Sequence, residues 1–429
     1  MRRGTRLNEP FGVTFNPLDR TALTFRYERL RAIAAGILET SGTSFLLLIA
    51  VKWFQFGATE KAMIAVGGSI GLLSGPAIVS LVERRQWHVS RAAAVLAAIG
   101  CVCFTVMALV KTKTVFVFGS MAVAALSAMA IPLVTQIYQE NYPQRKRGQF
   151  FSKTAMIRIT SVIVFSYCAG QALNSNDAGM LNIFPQWLLF IFSGAFAFAS
   201  FCFFKCPSHP LSVSGGTHPF RSLRFAWEDK LFRFTLACWM VFGIANLMMF
   251  PLRVDYLART EGYGMNYTPE RVVLLTITIP SIVRLILSPF WGRLFDSMNF
   301  FILRVILNFC FGMAIVTFFA TGTLTGIIVG AVFFGIAASG GEVAWSLWVT
   351  KFAPTDRVAD YMSVHTFFTG ARGCVAPFLG FYLVEIFRVQ QLAWVAFALI
   401  AISSLILLTQ RNMRPEERHG EPLTEDITE

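Results

Sequence analysis

Charge is scarce in this chain. Of its 429 residues only 14% are Asp, Glu, Lys or Arg, against roughly 25% in an average soluble domain, whereas 55% are apolar and 43 are Phe. That balance excludes a soluble globular protein and makes lipid the solvent. Catalytic signatures are missing as well. The chain has no Gly-x-x-x-x-Gly-Lys-Ser/Thr phosphate loop, no His-Glu-x-x-His helix and no Gly-x-Ser-x-Gly elbow, so it carries no recognisable ATP engine and no enzyme is expected. The eight cysteines form no Cys-x-x-Cys pair and no Cys/His set with metal-ligand spacing. Nearly all fall inside apolar runs and read as small packing residues, so neither a metal nor a cofactor is expected. A net charge of +13 would suggest nucleic acid in a soluble protein, but in lipid the basic residues orient the chain, and no nucleic-acid partner is expected.

What is present is a series of long apolar runs. A bilayer-spanning helix needs about 20 apolar residues. Twelve segments meet this, at about 31–54, 62–82, 92–110, 114–138, 149–172, 185–204, 232–256, 271–291, 300–320, 324–350, 358–385 and 391–410. The longest polar interval, 205–231, holds Pro207, Pro210, Gly215 and Gly216 and reads as a linker. The expected organisation is therefore an N-terminal segment 1–30, a six-helix bundle 31–204, the linker 205–231, a second bundle 232–410 and a tail 411–429. Basic residues on alternate sides of this layout number 25 on the side of the termini and linker, against six (Lys61, Lys111, Lys113, Arg259, Arg271, Arg388) on the other. No signal-peptide cleavage site follows the polar start, so both termini and the linker are expected in the cytoplasm, with the spans in the cell (inner) membrane. The two halves also repeat. A shift of 213 aligns Pro76 with Pro289, Glu83 with Asp296 and Arg91 with Arg304, and a shift of 210 aligns Arg147 with Arg357 and Gly170 with Gly380. Parallel six-helix repeats are a standard plan of secondary transporters, with the binding site between the halves near mid-membrane.

The junction motifs carry a resemblance. Gly292-Arg293-Leu294-Phe295-Asp296 and, without its first glycine, Glu83-Arg84 are similar to the Gly-x-x-x-Asp signature of the 2–3 loop in the major facilitator superfamily. Pro143-Gln144-Arg145-Lys146-Arg147-Gly148 is similar to its Pro-x-x-x-Arg-Gly, and Pro354-Thr355-Asp356-Arg357 echoes this in the second half. The glycine-rich fifth helix of the family's drug/proton antiporters is lacking, since 149–172 holds only Gly170 in that role. The resemblance implies an all-α membrane fold of twelve transmembrane helices in two pseudo-symmetric six-helix bundles. It also implies gating roles for Glu83, Arg84, Gly292 and Asp296, and a chain that functions as a monomer.

Charges at mid-membrane cost at least about 2.5–3.5 kcal/mol each and are functional hypotheses by default. Arg158, with Thr154 and Ser161 on its face, Arg284, with Ser281 and Ser288, and Arg372, with His365 and Thr369, stand mid-way along their spans. Glu39, beside Thr40, Ser41 and Thr43, and Glu342, with Trp345 and Ser346 on its face, are the acidic counterparts. Arginine offers a fixed fork for carboxylate or phosphate. One reading thus makes Arg158, Arg284, Arg372 and Trp345 substrate-binding; the other makes each arginine an inter-helix tie to Glu39 or Glu342. Three cations against two acids leave one over, which favours an anion. Proton coupling would fall to Glu39, Glu342 or His365. Gly67, Gly71 and Gly75 form a small-residue stripe that either packs statically or slides between halves. The expected activity is secondary transport of a small solute, an organic anion moved with a proton, by alternating access across the bilayer. Export of amphipathic or drug-like compounds is the alternative, and a non-transporting sensor or membrane enzyme the rival of another class.

Overall fold

The computed structural model of the protein describes residues 17–143, 147–173, 178–211, 221–351 and 358–409. The tail 411–429, most of the segment 1–30 and the motif Pro354 to Arg357 lie outside these residues. Among the described residues twelve helices are long and apolar enough to cross a membrane: α1 Asp19–Lys52, α2 Ala58–Arg84, α3 Val89–Leu109, α4 Lys113–Asn141, α5 Phe150–Leu173, α6 Ile183–Lys205, α7 Lys230–Ala258, α8 Pro269–Phe295, α9 Phe300–Ala320, α10 Leu324–Trp345, α11 Val364–Ile386 and α12 Val389–Leu408. The fold is the all-α, twelve-span architecture that hydropathy predicts.

The first helix starts well before the apolar run expected from residue 31. Its early polar turns are stabilised by packing that hydropathy does not register. Thr21 donates to the Asn141 carbonyl at 2.7 Å. Glu28, 3% exposed, accepts from both the Tyr138 hydroxyl and the Arg31 guanidinium, which lies 4.9 Å from the centre of the Phe203 ring. A buried acid with two donors is tolerated where a lone one would not be.

Helix pairing is the same in both halves. In the first, α1 packs on α5 and α6, α2 on α4, and α3 on α4 and α6; in the second, α7 packs on α11 and α12, α8 on α10, and α9 on α10 and α12. The sequence repeat is thus a structural repeat. The halves meet through α2 with α11, α5 with α8, and α1 with α7. Small residues set these distances. Gly67 lies against the backbone of α4, where a Cβ would fall 2.7 Å from the Met121 carbonyl oxygen, and Gly71 faces Ala125, so this part of the stripe packs within one half. Between halves the close approach is made by Gly370, whose Cβ would meet the Ser69 carbonyl at 2.8 Å, and by Gly373 against the Ser69 hydroxyl. Bulk at these positions would force the two bundles apart.

The tethers between halves lie from mid-depth toward the end of the molecule opposite the termini, here called distal. A π-turn at Ser41–Phe45 in α1 faces a second at Leu274–Thr278 in α8, and they join through the Ser44 and Thr276 hydroxyls at 2.9 Å. Ser166 of α5 meets Thr278 at 3.0 Å. Further out, Gln171 donates to Glu270 at 3.0 Å, and Thr59 meets Tyr382 at 2.6 Å. Lys61 donates to Asp255 at 2.7 Å with side-chain exposures of 3% and 0%. The second oxygen of Asp255 accepts from the Tyr263 hydroxyl, and the Lys61 ammonium stands 5.1 Å from the Phe381 ring centre. Burial and the neighbouring Asp255 carboxylate push the Tyr263 phenol well above its ordinary range, which keeps it a donor.

Removing one partner of a buried ion pair costs about 3–5 kcal/mol because the other charge is left stranded. Asp255→Asn is therefore expected to loosen the distal closure. Spin labels at Val110 and Thr321, at the distal ends of α3 and α9, should show an added longer-distance population by electron–electron double resonance. An unchanged distance distribution would show that the pair does not hold the halves together.

Candidate functional site

Two glycine contacts build the centre of the molecule. Gly36 on α1 lies directly against the Arg158 carbonyl of α5, and Ser161 one turn later donates to the Ile33 carbonyl at 2.8 Å. This close crossing brings Glu39, one turn along α1, beside the Arg158 side chain. In the second half, Gly335 on α10 lies where a Cβ would meet the Pro280 carbonyl of α8 at 2.7 Å, and Ser339 donates to the Arg284 carbonyl at 3.3 Å. That crossing brings Glu342 beside Arg284. Each half therefore places one acid and one base at its inner face, from helices that its own packing fixes.

The four charges close into a ring. Arg158 Nη2 donates to Glu342 Oε1 at 2.6 Å, and Arg284 Nη1 donates to Glu39 Oε1 at 2.6 Å. Both of these short bonds run from one half to the other. The two remaining sides are ion-pair contacts within a half, Arg158 Nη1 to Glu39 Oε2 at 3.5 Å and Arg284 Nε to Glu342 Oε2 at 3.1 Å, and neither is aligned as a hydrogen bond. Charge alternates around the ring and sums to zero. Arg158 and Glu342 keep side-chain exposures of 30% and 34%, against 14% for Arg284 and 21% for Glu39. One edge of the ring is thus more exposed than the other. The hydroxyls that share these helix faces mostly serve their own backbones: Thr43 donates to the Glu39 carbonyl at 2.9 Å, Thr154 to that of Phe151 at 2.9 Å and Ser288 to that of Arg284 at 2.7 Å.

Arg372, His365 and Trp345 do not join the ring. Arg372 lies inside the second half, where its guanidinium covers Gly243 of α7 and donates to the Trp239 carbonyl. His365 is fully buried among indoles, its ring centre 5.0 Å from Trp239, 5.1 Å from Trp348 and 5.6 Å from Trp345. Glu83 and Arg84 end α2 on the side of the termini, Gly292 sits in α8 with open space beside it, and the side chain of Asp296 lies outside the described set. Three charged groups were hidden from the sequence. Lys61 counts as a loop residue by position and Asp255 sits at the end of an apolar run. Arg304 aligns with the exposed Arg91 of the first half yet is only 3% exposed.

Comparison with known proteins gives the family from sequence and the fold from structure. The chain matches the Major Facilitator Superfamily over residues 32–377. Among solved structures it resembles the nucleoside transporter NupG, with a TM-score of 0.71 and 11% identity over 91% of this chain and 100% of that one. A bacterial homologue of the human lysosomal transporter Spinster, in an inward-facing, occupied conformation, gives 0.66 and 11% over 95% and 99%. The inward-open xylose transporter XylE from E. coli gives 0.66 and 15% over 92% and 96%. At these identities the likeness is one of fold. No curated protein matches the chain in sequence.

The two short bonds of the ring predict strong coupling. Glu39→Gln and Arg284→Gln should each lower the thermal midpoint of the purified protein, and the double variant should fall little further than the worse single one. The coupling expected of directly paired groups is about 0.5–3 kcal/mol. Additive losses would show that the pair contributes nothing as a pair.

Proposed function

The chain belongs to the Major Facilitator Superfamily, a family of membrane transporters that work by alternating access, and from that membership we propose that it carries a small organic anion together with a proton at the Glu39, Arg158, Glu342 and Arg284 ring. One observation supports this reading: the ring is neutral and its arginines are already neutralised. In a medium of low dielectric an added anion needs a released cation. Protonating one carboxylate frees one guanidinium, which can then take a carboxylate or phosphate oxygen bidentately. A monoanion and a proton entering together leave the sum of charges at zero. Glu342 is the acid assigned to the proton, since it has the more exposed side chain and holds Arg158, the more exposed arginine.

The same geometry suggests how the halves move. Each half holds one acid and one base already in contact, so the cross-half bonds can give way to the pairs within each half without stranding a charge. With the distal end tethered, the ring is reached from the side of the termini. The bias of basic residues toward that side assigns it to the cytoplasm, and the membrane to the cell's inner membrane. Every ring residue comes from one chain, which supports a monomer as the working unit.

Lower pH should raise anion affinity, because the protonated carboxyl releases its arginine. Thermal-shift titration with a panel of monocarboxylates, dicarboxylates and organic phosphates should give a binder whose affinity rises as pH falls. Glu342→Gln, which mimics the protonated acid, should bind it with little pH dependence, and Arg158→Gln should lose it at least tenfold. In proteoliposomes, uptake of a monoanionic binder should follow a pH gradient and ignore membrane potential. Binding only of hydrophobic cations or neutral compounds, or uptake indifferent to the pH gradient, would overturn the proposal.

A further inference from the structure

The second half holds buried arginines that meet no acid among the described residues. Arg304 of α9 and Arg372 of α11 are 3% and 6% exposed. Arg304 makes no hydrogen bond or ion pair with the described residues. Its guanidinium lies 3.9 Å from the ring centre of Trp239 and 4.4 Å from that of Phe242. Arg372 stands 5.9 Å from the same Trp239 ring, donates to the Trp239 carbonyl and reaches Thr369 at 3.5 Å, while its Nε is buried without a partner. Arg304 and Arg372, of like sign, thus approach the same ring. Beside them His365, fully buried, leaves both ring nitrogens without a partner, as do the indole nitrogens of Trp239 and Trp348.

Two arginines close to one indole ring place like charges together in a bundle of low dielectric. Aromatic faces and one carbonyl offset part of the charge, but a pair of like charges in a membrane-embedded bundle leaves a net positive potential. Buried charges are paired. The groups left without a partner here are an arginine N–H, two indole N–H donors and an imidazole with at least one N–H, and donors beside excess positive charge describe an anion site rather than a cation site. Both guanidinium carbons lie within 5.9 Å of the same ring centre, so an ion shared by them would have to be small.

We propose that a small monovalent inorganic anion, of the size of chloride or bromide, binds inside the second bundle between Arg304 and Arg372, next to His365 and Trp239. This site is separate from the central ring and does not depend on the function proposed for it. Its role would be structural, holding α9 and α11 to α7 by neutralising both.

The test uses the full-length protein in detergent, with gluconate replaced by chloride or bromide at constant ionic strength. The thermal midpoint should rise and saturate with halide, and bromide should quench tryptophan emission with a saturable component no larger than the share of three of the nine tryptophans. Arg304→Gln and Arg372→Gln should remove both effects, and Arg158→Gln should retain them. Should the arginine variants fail to fold, the bromide titration of the unaltered protein decides alone, since a bound halide quenches saturably and free collisions do not. Linear quenching with no halide effect on the midpoint would overturn the proposal. So would a midpoint that rises only when phosphatidylglycerol is returned to delipidated protein, which would assign the arginines to a lipid phosphate.

Discussion

Charge neutrality at low dielectric is the constraint on which the centre of this protein depends. Four full charges stand where two bundles meet, and they are tolerable there only in alternation, each acid between two bases and each base between two acids. The short bonds, at 2.6 Å, both join the halves, whereas the contacts within a half are longer or misaligned. The same four groups therefore support two arrangements of equal net charge: one that locks the halves and one in which each half closes on itself. A transporter needs this kind of two-state element, because an interface held by unbalanced charges could not open without stranding them.

Apolar packing decides where the halves touch, and polar tethers decide how firmly. Gly370 and Gly373 let α11 meet α2 at backbone distance, and that contact alone would be free to slide. The distal end is fixed differently. Lys61 and Asp255 are almost wholly buried, and the acid is satisfied on both oxygens by Lys61 and Tyr263. The hydroxyl pairs Ser44 with Thr276 and Ser166 with Thr278 are neutral and individually weak, about 0.5–1.5 kcal/mol each. Opening this end is thus governed by one ion pair more than by the number of bonds. The facing π-turns place those hydroxyls at the contact, as such irregularities often do at working sites.

The helices were legible because lipid demands long apolar runs, and the repeat was legible because both halves keep proline and acid at matching places. Arg158, Arg284, Glu39 and Glu342 stood out as costly residues and ties among them were one of two readings, yet which acid meets which arginine was not legible. Periodicity gives the face of a helix on which a side chain lies, not the helix opposite. What brings Glu39 to Arg158 is Gly36 on the carbonyl of α5, a contact between residues far apart in sequence. Lys61 looked like a loop residue because it lies in the first turn of α2, and only the partner bundle buries it. Arg304 was misplaced by the repeat itself, since its equivalent Arg91 is exposed and pseudo-symmetry does not extend to burial.

That broken symmetry separates the two halves electrostatically. In the first, the inward Arg31 has Glu28 one turn before it and Tyr138 beside both, so the cluster is balanced by residues of the chain. In the second, Arg304 lies against Trp239 and Phe242, and Arg372, of like charge, stands near the same Trp239. Both clusters lie behind the inner faces, outside the central ring, so neither difference alters the sum of charges around it. The first bundle balances its cluster by itself, while its Lys61 takes its counter-charge from Asp255 of the second. In the second no acid among the described residues meets the two arginines, and aromatic faces with one backbone carbonyl carry their compensation within the bundle.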